Sequence, residues 1–466
     1  MAQRVARDPM RSVWTGVALF VFCISALATD RYVTYHYGAD LGLFTQTIAA
    51  AFHGFGNQVE HGSHFIVHFS PIYYLVALPF AAARSPLTLQ VFQAISCALV
   101  APPLYLFARK RTDARLAALI ACTALLYPPL LSMSLSEFHE NAFAPAAIAW
   151  LIWAVDERHW SWAALFAALA LSIKEDEAVI LFALGAAFAV WSMLRRDRVG
   201  ALFGASVALT AVAVFALFFL VIQPHAGGRW FISDFYLAHT KDLPHGAVVV
   251  TGRLTFLLEV FGPLLFLPLM SRWIWLAVPG FIEVLSSRWP VTYTMGTHYA
   301  GVWIPYVLIA FAAAVASLAA KDLGRARNVV WICIGLCVLN LAVASPTHWA
   351  HYYRLRDAHD AALDRIIATI PADAAVGSYD EAYTHMSLDP NARIGMYITP
   401  DYFLYDRQFD SMAWRRYIVP RLAAVVCTGY FVPIREDDGL VLFKRVKDVP
   451  EEVYARARRV LPTCKM

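Results

Sequence analysis

Four short polar segments interrupt a mostly apolar sequence, and they hold the residues able to do chemistry. The first, Asp40-Leu41-Gly42-Leu43-Phe44-Thr45-Gln46, offers a carboxylate that could take a proton from a hydroxyl or ligate a hard divalent cation. Asp before an apolar run also suits a helix N-cap. The second, His61-Gly62-Ser63-His64-Phe65-Ile66-Val67-His68, spaces three histidines so that a helix would bring them to one face, for a metal or a phosphate. The third, Ser136-Glu137-Phe138-His139-Glu140, flanks an imidazole with two carboxylates between apolar stretches, where a solvated turn is the plainer reading. The fourth, Lys174-Glu175-Asp176-Glu177, joins two apolar stretches with almost no linker, so its charges must sit at or below lipid headgroups. A lysine there can meet a phosphate as a point charge, or close a local salt-bridged turn. Further on, Arg288, His298 and Tyr299 could receive a phosphate and a sugar ring, although aromatic residues are common at membrane interfaces.

These segments need elements to hold them. The 466 residues are 59% hydrophobic and 15% charged, unlike a soluble enzyme. Residues 1–345 carry 22 Lys+Arg and 18 Asp+Glu, while the 121 residues 346–466 carry 16 of each. The expected fold is therefore an all-α polytopic membrane domain over 1–345, with a small C-terminal α/β extracytoplasmic domain over 346–466. Eleven spans are read: about 13–29, 87–108, 115–133, 141–155, 160–173, 178–194, 199–222, 253–270, 273–287, 300–319 and 328–345. With the N-terminus cytoplasmic, fifteen Lys and Arg fall in the inner loops and six in the outer ones, which puts the polar segments and the tail outside. This requires that 61–83 lie along the outer surface within a first outer loop, 30–86. The loop 223–251 is a candidate lid. The start resembles a signal peptide ending at Ala26-Leu27-Ala28, but is read as a retained first helix.

In the tail, Ala375–Ser378, Ile394–Ile398, Asp401–Tyr405, Tyr430–Ile434 and Leu440–Arg445 read as strands, with Asp438-Gly439 as a hairpin turn. His359–Ile370 and Ser411–Leu422 read as helices. Cys427 and Cys464 lie there, and spacing alone does not pair them. No Gly-rich phosphate loop supports nucleotide binding, and the net charge of +4 gives no reason to expect nucleic acid.

Asp40 with Gly42, Phe44 and Gln46, then His68-Phe69-Ser70-Pro71, Gln93, Tyr127-Pro128, Phe138-His139-Glu140, Lys174-Glu175-Asp176 and His298-Tyr299, in this order, resemble a multipass bacterial and archaeal family of unknown function. That family in turn resembles the GT-C superfamily of integral-membrane glycosyltransferases. The resemblance implies sugar transfer from a polyprenyl-phosphate carrier to a glycan, lipid or protein acceptor on the outer face of the cytoplasmic membrane. Asp40 would correspond to the first-loop catalytic carboxylate, and Glu137 or Glu140 loosely to a second acidic residue. His68, His139, Lys174, Glu175, Asp176, Arg288, His298 and Tyr299 are the candidate substrate-binding residues. A divalent cation such as Mg or Mn, with Asp40 and Glu140 as candidate ligands, would follow from the superfamily, but the second loop lacks an Asp-x-Asp. The rival readings are a lipid or solute transporter, or flippase, and a non-catalytic membrane scaffold.

Overall fold

The computed structural model describes residues 9–229, 246–287, 289–343, 353–396, 399–412 and 414–453. They form two compact units, one built from the N-terminal helix to Ala28, Phe65–Val76 and Gln90–Tyr353, the other from Thr29–His64, Ala77–Leu89 and the chain from Arg354 onward. The second unit thus takes up much of the first loop as well as the C-terminal residues.

The first unit is helical, because uninterrupted apolar sequence in lipid must satisfy its own backbone hydrogen bonds. Among the described residues, six helices are long and apolar enough to cross a membrane: Pro9–Val33, Pro86–Arg109, Glu175–Leu194, Arg198–Ala226, Ala247–Leu264 and Leu323–Val343. Ala114–Leu125 and Pro128–Leu135, bent by 44° at their junction, make a seventh if taken together. The eleven spans read from the sequence are not all matched by helices of that length. Ala144–Asp156, Trp160–Leu171 and Ile304–Ala319 have 13, 12 and 16 residues, or roughly 18–24 Å at about 1.5 Å per residue. The 273–287 stretch breaks into a 3-10 turn, Arg272–Ala277, and a short helix, Val278–Ser286, whose first turn holds Pro279. Tyr73–Ala82 is a helix of 10 residues containing Pro79, too short to cross alone. Prolines recur in the first turns of these helices, where a missing N–H costs nothing. Val100, Leu104, Phe107, Ile120, Trp303 and Phe311 are fully buried in the shared core.

In the second unit, β1 (Gly56–Asn57) and β2 (Gly62–Ser63) form a small antiparallel pair. A five-stranded mixed sheet contains β3 (Val376–Ser378), β4 (Ala392–Ile394), β5 (Tyr402–Asp406), β6 (Phe431–Asp437) and β7 (Leu440–Arg445), in the order β4-β3-β5-β7-β6. β3 runs parallel to β4 and β5, and β7 antiparallel to β5 and β6. The β6–β7 turn is the expected one: Asp438 and Gly439 both have positive φ, 46° and 84°, as a two-residue hairpin turn of this hand requires. Ala358–Ile367 opens with a capping box of Asp357 and Asp360. The helix expected over Ser411–Leu422 instead appears as a π-helical turn, Trp414–Ile418, running into Val419–Cys427. Cys464 lies outside the described residues, and with it any pairing to Cys427.

Candidate functional site

Within the helical unit, Lys174 is extended, at φ −161°, and caps the start of Glu175–Leu194. Glu175, Asp176 and Glu177 fill the first helical turn, where the backbone N–H groups and the helix dipole favour negative charge. Lys174 Nζ lies 3.5 Å from Asp176 Oδ2 and 3.9 Å from Glu140 Oε1. Its ammonium also stands 5.8 Å from the centre of the Tyr299 ring. Tyr73 donates its hydroxyl hydrogen bond to Glu140 Oε2. Glu175 accepts from the backbone N–H of Phe69 at 2.8 Å, and His68 Nδ1 lies 2.8 Å from its other oxygen. Six expected residues, His68, Glu140, Lys174, Glu175, Asp176 and Tyr299, therefore converge on one ion-paired cluster. Lys174 and its carboxylates are almost wholly buried.

Two further histidines belong to it. His139 and His298 stack with ring centres 3.6 Å apart. The approach depends on Gly301: a Cβ there would stand 2.4 Å from the carbonyl oxygen of Asn141, so only glycine lets the 3-10 turn His298–Val302 lie on Glu140–Phe143. Burial, then the charges of His139, Lys174 and His68, holds the His298 imidazole well below its usual range, so it is neutral near pH 7. Gln93 is buried and fixes the His139 turn from both ends, accepting from the His139 N–H at 3.0 Å and donating to the Ser136 carbonyl at 3.0 Å. Glu137 contributes its backbone carbonyl to the same turn, 3.2 Å from His139 Nδ1. Tyr127, also part of the ordered motif set, ties to the Val260 carbonyl at 2.8 Å and is a packing residue. Both oxygens of Glu177 are buried without a hydrogen-bond partner among the described residues.

The three-histidine face is not formed, and this corrects the helical reading of 61–68. His61 has a positive φ of 58°, Gly62-Ser63 is a strand, and His64–Ile66 is a 3-10 turn. His64 pairs with Glu60 at 3.0 Å, whereas His68 pairs with Glu175. Among the described residues no three His, Cys, Asp or Glu side chains converge as a metal ion requires. Arg288 lies outside the described residues, as do residues 230–245 of the loop considered as a lid.

In the second unit, Asp40 is the second residue of the helix Ala39–Ala49, so it is not the N-cap that its place in the sequence suggested; Gly38 is. Gly42 brings this helix onto Asp380–Met386, since a Cβ on it would stand 2.5 Å from the Tyr383 ring. Tyr383 donates to Gln46 Oε1 at 2.9 Å, Gln46 Nε2 donates to the Ala392 carbonyl at 2.9 Å, and Thr384 donates to the Gly38 carbonyl at 2.6 Å. This packing sets Asp380 within electrostatic reach of Asp40: burial first, and then the Asp40 charge, pushes the Asp380 carboxyl above the usual carboxylate range. Sequence reasoning missed Asp380. The signal available to it was local, an Asp-Glu pair opening a helix, and nothing in it pointed to Asp40.

The fold and the residue pattern define a multipass membrane protein. The chain belongs to the family described as predicted membrane protein DUF2079, whose model matches residues 31–414. No curated protein matches the chain. Among solved structures, ArnT from Cupriavidus metallidurans is similar both bound to undecaprenyl phosphate and in the apo state. Each is 11% identical, with TM-scores of 0.55 and 0.54, over 92% of this chain and 98% of that one. The Archaeoglobus fulgidus oligosaccharyltransferase, in complex with Zn and sulfate, is 14% identical over 91% of this chain and 73% of its own, with a TM-score of 0.45.

Proposed function

We propose that this protein is an integral-membrane glycosyltransferase that takes a sugar from a polyprenyl-phosphate carrier and passes it to a glycan, lipid or protein acceptor. The observation that carries the reading is the packing of Ala39–Ala49 on Asp380–Met386, which sets the carboxyls of Asp40 and Asp380 at the starts of two packed helices; burial first, and then the Asp40 charge, raises the proton affinity of Asp380. Asp40 takes the proton from the acceptor hydroxyl as its oxygen attacks the anomeric carbon. The bond from that carbon to the carrier phosphate oxygen breaks, and the phosphate leaves with the bonding electrons. Within the helical unit, the groups offered for the carrier phosphate are His68 and His298, each only partly buried, with the Lys174 ammonium as the positive charge of their cluster. The apolar helices Pro86–Arg109 and Ile304–Ala319 take the polyprenyl tail. The Lys/Arg asymmetry of the loops supports a reaction on the outer face of the cytoplasmic membrane, with residues 346–466 on that side.

The test is Asp40→Asn, reconstituted in vesicles with labelled lipid-linked sugar. Transfer should fall by about 10²–10⁴-fold while the gel-filtration profile stays that of wild type. Transfer within threefold of wild type would sink the proposal.

A further inference from the structure

At the other end of the helix that starts beside Lys174 there is a second feature. A groove of about 640 Å³ runs along Glu175–Leu194 from Leu181 past Phe188 to Arg195, a rise of roughly 20 Å at about 1.5 Å per residue. Its length is lined almost entirely by apolar side chains, among them Leu151, Leu184 and Phe203. Its polar residues are not spread evenly. Arg111, Asp156, Arg158, Arg195, Asp197 and Arg272 are placed at helix ends and turns, and only Tyr306 brings a polar group elsewhere.

The charges at this end do not cancel. Arg111 is tied to Asp156, and Arg158 lies 2.6 Å from Asp197, which uses both carboxylates. Arg195 and Arg272 remain, both exposed and neither ion-paired with a carboxylate among the described residues. Arg195 is held in place over the Trp191 ring, 4.4 Å from its centre. Two uncompensated guanidiniums at the mouth of an apolar channel about one acyl chain deep match a lipid that carries a negative phosphate on a hydrocarbon tail. Guanidinium is the side chain suited to two-pronged phosphate contact.

We propose that this groove binds an anionic phospholipid from the leaflet opposite the Lys174 end of the helix. One acyl chain lies along Leu181–Trp191, and the headgroup phosphate sits on Arg195 and Arg272. The site is separate from the sugar-transfer residues and holds whether or not the protein transfers sugar. Surface Lys and Arg near a membrane attract anionic lipid at about 1 kcal/mol each, so two of them in a fixed pocket predict roughly a tenfold or greater preference over a zwitterionic lipid.

The experiment is mass spectrometry of the intact protein, released from nanodiscs of equal parts phosphatidylglycerol and phosphatidylcholine. Wild type should retain phosphatidylglycerol, and the Arg195→Ala/Arg272→Ala protein should lose that preference at least fivefold. The lysine pair, Arg195→Lys/Arg272→Lys, keeps the charge and should keep most of it. Leu184→Trp, which fills the channel and leaves the arginines alone, should reduce retention of both lipids. Unchanged phosphatidylglycerol retention in the alanine pair overturns the proposal, as does preferential displacement of the bound lipid by added polyprenyl phosphate. If the alanine pair misfolds, Leu184→Trp decides: unchanged retention of both lipids in that protein overturns the proposal.

Discussion

The two polar clusters differ in what they do with charge. In the helical unit, Lys174, Glu140, Asp176 and Glu175 are drawn together and nearly sealed from solvent, with the half-buried His68 paired to Glu175 at their edge. In the other unit, Asp40 and Asp380 are both only partly buried, and they carry the same sign. A buried, paired network has little freedom to exchange protons with a substrate, and its main effect is to lock the chain segments that supply it. Here those segments are the 65–76 stretch, the 136–143 turn and the start of Glu175–Leu194. A half-open pair of like charges is held at a cost in repulsion and contributes little to packing. Under the proposed function, the partners a residue keeps separate Asp40 and Asp380 from the buried carboxylates of the Lys174 cluster.

The largest effect that could break this comparison is on Lys174. Lys174→Met leaves Glu140 and Asp176 buried without their cation, and should destabilise the helical unit by about 3–5 kcal/mol, seen as a lower melting temperature in detergent. Adding Glu140→Gln should restore part of that loss, because it removes one of the stranded charges. A Lys174→Met protein with unchanged melting and no transfer would instead make the lysine a direct phosphate ligand, and the division between clusters would fail.

A smaller effect tests the packing that carries Asp380 to Asp40. Gly42→Ala puts a methyl group 2.5 Å from the Tyr383 ring and 3.1 Å from the Thr384 Cα. The ring can swing but the backbone cannot, so the helix pair must separate, at about 1–3 kcal/mol. Transfer should fall more than the fraction of unfolded protein accounts for, because the two carboxyls part. Stability and activity falling in strict proportion would mean that the pairing has no role beyond folding.

How much of this was legible in the sequence follows the same division. The ion-paired cluster was visible because each member lies in a dense polar segment between apolar stretches, and lipid leaves such residues few other places. Lys174 was read either as a point charge for a phosphate or as part of a local salt-bridged turn; its contact with Asp176 is that local pair, and the one the sequence did not offer is with Glu140, 34 positions away. The Asp438-Gly439 turn was legible because its backbone geometry admits few residue types. The three-histidine face failed at Gly62, whose presence weakened the helix and left the spacing rule without a helix to act on. Asp380 was invisible, since its partner is 340 residues away and brought close only by Gly42 and Tyr383. The arginine-mouthed groove was hidden likewise: no single segment supplies it.

The smallest effect concerns His385, in the second unit, and sharpens the contrast by asking what a buried titratable group does when no opposite charge is supplied. Its ring stacks between Tyr32 and Tyr35, with ring centres 4.1 Å and 3.8 Å away. Burial, and then the nearby Arg356 charge, lowers its imidazole to about 4, against a hydrogen bond to the Tyr32 backbone that works the other way. The unfolded chain takes up this proton near pH 6.5 and the folded chain only near pH 4. Above pH 6.5 neither state is protonated and the residue has no effect on the balance. As pH falls from about 6.5 to about 4 the unfolded state binds the proton first, so stability declines, by on the order of 2 kcal/mol, and levels off below. His385→Phe keeps the stack and removes the proton, so its urea midpoint should fall less than that of wild type between pH 6.5 and 4. Parallel pH profiles for the two proteins would show that the ring is not held neutral, and that this unit tolerates an unpaired charge in its interior as readily as at its surface.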